Sequence, residues 1–174
     1  MESFAVLTTL FSQSAENQAA IPHLVAHNAA RISTSAGIIL SLPEDSSAET
    51  QVQDSRHWCK QLQQLLVALE ANPDIPNDFK VCLITRSCTG LLGDEHMNLS
   101  HAGVAAMLRC AALELPTLRL LHVDLPAAPT RDDFALLEQT LGQINEETKE
   151  SQYAIRDGLL LVPRLQTLVH TRKE

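Results

Sequence analysis

The sequence has few aromatic residues and no glycine pattern typical of a nucleotide-binding loop. Aromatics make up 3% of its 174 residues, so the core must consist mostly of Leu, Val, Ile and Ala. The six glycines form neither GxGxxG nor a P-loop, and the nearest pattern is Gly90-Leu-Leu-Gly93. Because a pyrophosphate needs close backbone approach at a helix N-terminus, this chain lacks the usual phosphate cradle. The glycine pair indicates a turn.

Basic residues are also scarce. Lys and Arg number 13 against 21 acidic residues, which gives a net charge of −8. Nucleic-acid binding depends on clustered Lys and Arg, so this balance argues against it and removes a simple electrostatic case for anionic membranes. The chain has no apolar run near 18 residues and no signal-peptide pattern. These absences predict a soluble, cytoplasmic protein.

The four cysteines have no paired spacing and no CxxC. This arrangement predicts reduced thiols in a cytosolic protein rather than a disulfide framework. Cys82 and Cys110 fall in apolar runs, so both are expected to be small core residues.

Patterns for catalysis are missing as well. GxSxG is absent, and a short-chain reductase would need a Tyr with a Lys four residues later. The single tyrosine, Tyr153, is followed by Asp157 at that spacing, and the helix expected over 100–115 contains neither Tyr nor Lys. The sequence therefore assigns no catalytic and no cofactor-binding residue.

Candidate metal ligands are weak, and none is assigned. His23 and His27 share a helical spacing without the Glu of an HExxH motif, which favours a solvated helix face. An alternative enzyme site would use polar residues after a strand end, where α/β enzymes bind ligands. This site would use Arg86, Asp94, Glu95 and His101. Glu95-His96 and His101 near this strand end could also be metal ligands or acid–base groups. Arg86 could hold a phosphate or carboxylate, or bind loop carbonyls or a neighbouring acid.

The best-formed unit of the chain is Phe79 to Leu125. It reads as a strand over 80–85, a polar loop, a helix capped by Asn98 or Ser100, and a strand over 118–125. Two apolar strands joined by a helix predict a βαβ crossover in a parallel sheet.

The remaining segments extend this alternation. Residues 3–30 fit helices, GIILSLP from Gly37 fits a buried strand, and a periodic helix starts near Val52. A further helix follows Asp132, and Asp157-Gly158 lies between two apolar arms, which predicts a hairpin. The predicted fold class is α/β, a mostly parallel sheet with helices on both faces and a C-terminal antiparallel hairpin.

Several short motifs occur in order along the chain: Thr85-Arg86, Gly93-Asp94, Arg109, Ala112-Leu113-Glu114, Pro116, Asp124-Leu125, Arg156-Asp157-Gly158 and Pro163-Arg164-Leu165. Together they resemble the structural subdomain of polyketide synthase ketoreductases, a short-chain dehydrogenase/reductase-like family. No single motif is diagnostic, but their order and spacing are fairly specific. The resemblance covers about residues 36–166 and is poor before residue 36.

The resemblance implies a truncated pseudo-Rossmann domain without a cofactor of its own. In that family it braces a catalytic half that binds NADPH and reduces β-ketoacyl-carrier-protein intermediates. The chain is then expected to be no enzyme on its own, with the catalytic subdomain and neighbouring synthase domains as partners.

The expected organisation is a single domain over 1–174, with an N-terminal helical segment at 1–35, the pseudo-Rossmann core at 36–166 and a tail at 167–174. The run GIILSL is expected at the edge of the sheet, where N-terminal helices or a partner would cover it. The alternatives are a stand-alone interaction or dimerisation module, and an enzyme with the strand-end site above.

Overall fold

The computed structural model describes residues 4–6, 35–43, 49–77, 79–91, 97–144 and 147–164. In this part of the chain, strands and helices alternate until a final hairpin. The strands are β1 (Phe4–Val6), β2 (Gly37–Ser41), β3 (Phe79–Arg86), β4 (Leu118–Leu125), β5 (Gln152–Arg156) and β6 (Leu159–Leu161). The helices are α1 (Gln51–Glu70), α2 (Leu99–Glu114) and α3 (Arg131–Gln143).

The described strands form one six-stranded sheet in the order β1 to β6. Neighbouring strands are parallel from β1 to β5, and β5 pairs with β6 antiparallel. The central strands β3 and β4 are buried along nearly their whole length, as strands covered on both faces should be. This arrangement confirms the predicted α/β fold class.

Helices α1 and α2 cover one face of the sheet. They pack together and contribute apolar residues to a core with alternate residues of β2, β3 and β4, among them Ile38, Val81 and Leu120. Trp58 of α1 is fully buried in this core. Gly103 allows close helix packing, because a Cβ there would lie 2.3 Å from Ser55 Oγ.

Helix α3 covers the opposite face. Its Leu137 and Leu141 pack with Leu121 and Val123 of β4 and Ile155 of β5, which point away from α2. The three connections β2–α1–β3, β3–α2–β4 and β4–α3–β5 all proceed in the same direction across the sheet. Because α3 lies on the face opposite α1 and α2, the β4–α3–β5 crossover has the opposite handedness to the crossovers through α1 and α2. Such a change of handedness is uncommon between parallel strands. One consequence is that no described helix covers β5 and β6 on the α2 side.

The cap of α2 and the hairpin match the sequence expectations. Asn98 caps α2 by accepting from the His101 amide, whereas the capping box of Thr130 with Asp133 at the start of α3 was not predicted. Asp157 and Gly158 have φ values of 51° and 70°, as a tight hairpin turn with positive φ at both central positions requires.

The predicted helix over residues 3–30 is wrong at its start. Phe4–Val6 is a strand, paired in parallel with Gly37–Ile39 of β2. Long-range pairing outweighs the helical spacing here, because it gives the outer backbone groups of β2 hydrogen-bond partners. GIILS is therefore not the sheet edge that the sequence predicted. The rest of that helical prediction, 7–30, and the tail lie outside the described residues.

Two smaller predictions are also corrected. Cys110 is exposed on α2, whereas Cys82 is buried as expected. The apolar spacing in this helix predicts Ala112 on its inner side with Leu108 and Leu115, but Ala112 is exposed as well. The low amphipathicity of α2 explains both errors, since apolar residues occur on all its sides and the sequence does not mark the buried one.

Candidate functional site

Polar residues gather where β3 and β4 end, the position at which open α/β sheets bind ligands. Thr85 and Asp124 are register partners on these strands, so their side chains lie together on the α2 side of the sheet. Both are fully buried. Arg156 reaches the same point from β5, and Cys88 and Thr89 from the loop after β3.

Asp124 accepts a hydrogen bond at every lone-pair position of its carboxylate. Oδ1 accepts from Thr85 Oγ1 at 2.6 Å and from the Cys88 amide at 3.1 Å. Oδ2 accepts from the Thr89 amide at 3.1 Å and from Arg156 Nη2 at 2.7 Å. We call these five residues the Asp124 cluster. Burial by itself raises the pKa of Asp124, but these hydrogen bonds outweigh it and hold that pKa below its ordinary value.

Arg156 makes further contacts that close the site. It also donates to the main-chain carbonyls of Asp124 at 3.0 Å, Ile155 at 2.9 Å and Thr89 at 3.4 Å. Its side chain is 11% exposed, so this ion pair is largely shielded from water. The guanidinium thus joins β4, β5 and the loop after β3, and its donors are used within the fold.

Cys88 and His122 complete the polar group. Cys88 Sγ lies 3.1 Å from Thr85 Oγ1 and 3.6 Å from His122 Nε2. Burial, with Asp124 nearby, raises the pKa of the Cys88 thiol to about 12. Since the thiolate is the nucleophilic form, this thiol is not an activated nucleophile.

The ligand atoms of Cys88, His122 and Asp124 lie within 4.8 Å of one another, as in a metal centre. The donor set does not fit a cation, however. The carboxylate lone pairs are already occupied, and the Thr85 hydroxyl lies 2.8 Å from His122 Nε2 and 2.6 Å from Asp124 Oδ1. That hydroxyl fills the space between the three ligands, where a zinc ion would need contacts of about 2.0–2.3 Å. The group is a hydrogen-bonded cluster.

His101, a candidate from the sequence, has a structural role. It lies at the start of α2, where Nδ1 accepts from the Arg86 amide at 2.9 Å and Nε2 donates to the Pro43 carbonyl at 2.9 Å. Its ring meets Trp58 edge-on with 5.4 Å between ring centroids. Burial lowers the pKa of His101, in keeping with a neutral ring. The histidine ties α2 to β3 and to the segment after β2.

The other candidates do not join this cluster. Arg86 is half-buried at the end of β3, and Tyr153 in β5 donates its hydroxyl to the Glu150 carbonyl at 3.1 Å. His23, His27, Asp94, Glu95 and His96 lie outside the described residues.

Sequence reasoning missed the Asp124 cluster. Thr85, Asp124 and Arg156 were visible only as parts of family-like motifs, while His122 lies inside the apolar strand β4 and Cys88 just after β3. The usable signal was polar residues at the last positions of two apolar strands predicted to be parallel neighbours.

The fold is that of a Rossmann-like α/β domain. At the carboxyl ends of β3 and β4, where such domains usually bind ligands, the residues of the Asp124 cluster bind one another instead. The family model described as "Polyketide synthase extender module SpnB, Rossmann fold domain" matches residues 3–165. The chain therefore belongs to this family of polyketide synthase Rossmann-fold domains. No curated protein matches it. Among the described residues, no helix is long and apolar enough to cross a bilayer.

Proposed function

We propose that this chain is the non-catalytic structural subdomain of a polyketide synthase ketoreductase. It would brace the catalytic half, which binds NADPH and reduces β-ketoacyl-carrier-protein intermediates. Membership in a family of extender-module Rossmann domains supports the synthase context. Other domains of the same synthase would be its further neighbours.

The observation that carries the bracing role is the outer face of α2. Five residues spaced by three and four positions lie on the side opposite the core: Leu99, Ala102, Ala106, Cys110 and Leu113. Leu99 is 62% and Leu113 88% exposed, and the stripe contains no charged residue. A surface helix normally presents polar and charged residues on the side opposite the core, whereas the exposed charges of α2, Arg109 and Glu114, only flank this apolar stripe. We infer that a partner protein covers this one.

Helix α3 provides the contrast within the same chain. Its exposed positions include Arg131, Asp132, Glu138, Gln139 and Gln143. This composition is typical of a solvated surface, although Phe134 is partly exposed. The apolar outer surface is therefore a property of α2 and not of every helix.

The non-catalytic role is supported by the Asp124 cluster. An active site needs side chains or main-chain groups that are free to meet a substrate. Here the carboxylate at the strand end accepts only internal donors, and Arg156 binds carbonyls of the fold. His101 is engaged at both ring nitrogens.

The test is co-expression with the catalytic half of the same ketoreductase. In the double variant Leu99→Glu/Ala106→Glu, two buried charges would enter the proposed interface, so we expect loss of co-purification and of reductase activity. The matched control Phe134→Glu/Ala135→Glu places the same charges on α3 and should retain both. If the α2 variant binds as well as the wild type, this face is not the interface. If the catalytic half is equally stable and active without this chain, the bracing role fails.

Two measurements on the chain alone separate the alternatives. NADPH fluorescence titration should show no tight binding, whereas tight binding would favour an enzyme. Native mass spectrometry reports the oligomeric state. A dimer that the α2 variant dissociates would favour the stand-alone dimerisation module.

A further inference from the structure

The sheet face that α3 leaves uncovered contains two adjoining cavities. The larger, about 180 Å³, lies between the C-terminal half of α2 and strand β4. The smaller, about 100 Å³, lies between the loop after β3 and the end of the hairpin. His122 and Gln152 border both cavities, and we call the combined depression the His122 groove. Its walls are mainly apolar and include Leu108, Leu113, Leu120, Leu161 and Val162.

The hydrogen bonds of the Asp124 cluster fix which nitrogen of His122 carries the proton. The single proton of the Thr85 hydroxyl is donated to Asp124 at 2.6 Å. The 2.8 Å contact between Thr85 Oγ1 and His122 Nε2 therefore has Nε2–H as the donor. Burial is the main reason that the pKa of His122 falls to about 4, so the ring is neutral near pH 7. Its Nδ1 then holds a lone pair.

This lone pair has no partner in the described part of the chain. Within the described residues, the ring of His122 makes its polar contacts through Nε2, toward Thr85 and Cys88. His122 is only 5% exposed, but Nδ1 is not one of the fully enclosed, unpartnered polar atoms of the described residues, so its lone pair is accessible from the groove that the ring lines. The fold thus holds an oriented hydrogen-bond acceptor in a ring that borders an apolar groove.

We propose that the His122 groove binds a neutral ligand with a ring-sized apolar body and one N–H or O–H donor that meets His122 Nδ1. The size fits, because an apolar cavity of about 150 Å³ is sufficient to bind benzene. The hydrogen bonds from Asp124 through Thr85 to His122 fix the orientation of the imidazole ring before a ligand binds. Binding therefore costs no further side-chain entropy at this acceptor. This site lies against the sheet and shares only Leu113 with the apolar stripe on α2.

Indole and benzofuran are matched probes, since they have similar shape and only indole carries an N–H donor. The experiment is a titration of the whole ¹⁵N-histidine-labelled chain, followed by long-range ¹H–¹⁵N NMR of the imidazole nitrogens. We expect indole to shift the Nδ1 resonance of His122. Indole should also bind about fivefold tighter than benzofuran, because one net hydrogen bond stabilises a complex by about that factor. The proposal is overturned if millimolar indole leaves that resonance unchanged, or if both probes bind equally.

Two variants locate the site. His122→Phe keeps an apolar ring and removes the acceptor, so indole should lose its advantage over benzofuran. Ala112→Trp fills the larger cavity from an exposed position of α2 without touching the Asp124 cluster, and should abolish binding of both probes. Ala135→Trp, on the exposed side of α3, is the control and should bind like the wild type. Retained binding in Ala112→Trp would place the probes elsewhere and overturn the assignment.

Discussion

The Asp124 cluster and the His122 groove adjoin on the same face of the sheet, yet their polar groups are used differently. In the cluster, every lone pair of the Asp124 carboxylate meets a donor of the fold. In the groove, Nδ1 of His122 has no hydrogen-bond partner among the described residues. The Thr85 hydroxyl connects the two regions.

This difference shows why polar residues at a strand end are not by themselves evidence of an active site. A satisfied buried network makes the fold rigid, whereas an atom that borders a cavity without a partner in the described fold is available to a ligand or to water. The predictions below perturb the two regions in turn.

The largest effect is expected from removal of the Asp124 carboxylate. Asp124→Ala leaves the Arg156 guanidinium, the Thr85 hydroxyl and two amides without their acceptor, which should lower the free energy of unfolding by about 3–5 kcal/mol. Urea denaturation followed by circular dichroism measures this. Glu138→Gln, on the exposed side of α3, should change it by less than about 0.5 kcal/mol. A loss below about 1 kcal/mol in Asp124→Ala would show that the cluster does not stabilise the fold.

Acid should destabilise the protein in two stages. The pKa of His122 is about 4 when folded and 6.5 ordinarily, so between these values the unfolded state binds the extra proton. The free energy of unfolding should therefore fall as pH drops from about 6.5 to 4, by up to about 3 kcal/mol from this residue. His101 adds to the same slope, because its pKa is also lowered. Below about pH 4, protonation of Asp124 removes stability as well, since its folded pKa is depressed.

The measurement is chemical denaturation at pH 7, 6, 5 and 4. The groups that set the pKa of His122 besides burial are Asp124, Arg109 and His101. His122→Phe should flatten the slope between pH 6.5 and 4 and leave the loss below pH 4 in place. An unchanged slope in this variant would contradict the assignment of the first stage to His122.

An intermediate effect is expected where the two regions meet. Thr85→Val preserves shape but removes the hydroxyl that bridges Asp124 and His122, so we expect a loss of about 1–3 kcal/mol in unfolding free energy. It should also weaken the indole preference of the groove. The control is Thr140→Val, where the buried hydroxyl donates at 2.7 Å to the Leu136 carbonyl of its own helix. There the loss should stay below about 1 kcal/mol. Equal losses in both variants would mean that the bridge has no special role.

The smallest effect concerns thiol reactivity rather than stability. Cys88 is buried with a pKa raised to about 12, whereas Cys110 is exposed. Iodoacetamide at pH 7.5 should therefore modify Cys110 rapidly and Cys88 only after unfolding, as mass spectrometry of digested peptides can measure. Fast labelling of Cys88 in the native protein would show that the Asp124 cluster opens readily.

Some elements could be predicted from the sequence because their signals are local. The strand Leu118–Leu125 matches its prediction at both ends, and the hairpin turn at Asp157-Gly158 was marked by its dipeptide. Helix α1 followed from the spacing of Trp58, Leu62 and Leu65. The missing phosphate cradle could likewise be read from glycine spacing alone.

Other features could not be read in this way. Phe4–Val6 has a helical spacing with the residues after it, but its pairing with β2 decides its structure. Apolar residues surround α2, so the sequence did not show that Cys110 would be exposed. Candidates chosen by residue type, such as His101, proved to be internal braces, while the ring of His122 was hidden inside a buried strand.

By itself, the sequence determined the alternation of strands and helices, the absence of a nucleotide loop and the resemblance to a synthase Rossmann domain. These properties depend on periodicity and on residues close together in the chain. Only the tertiary structure decided that α3 covers the opposite face, that Asp124 is satisfied by donors from three segments, and that His122 Nδ1 meets no partner within the part of the chain that is described. The physical reason is that satisfaction of a buried polar atom depends on groups tens of residues apart, which only the folded sheet brings within hydrogen-bond distance.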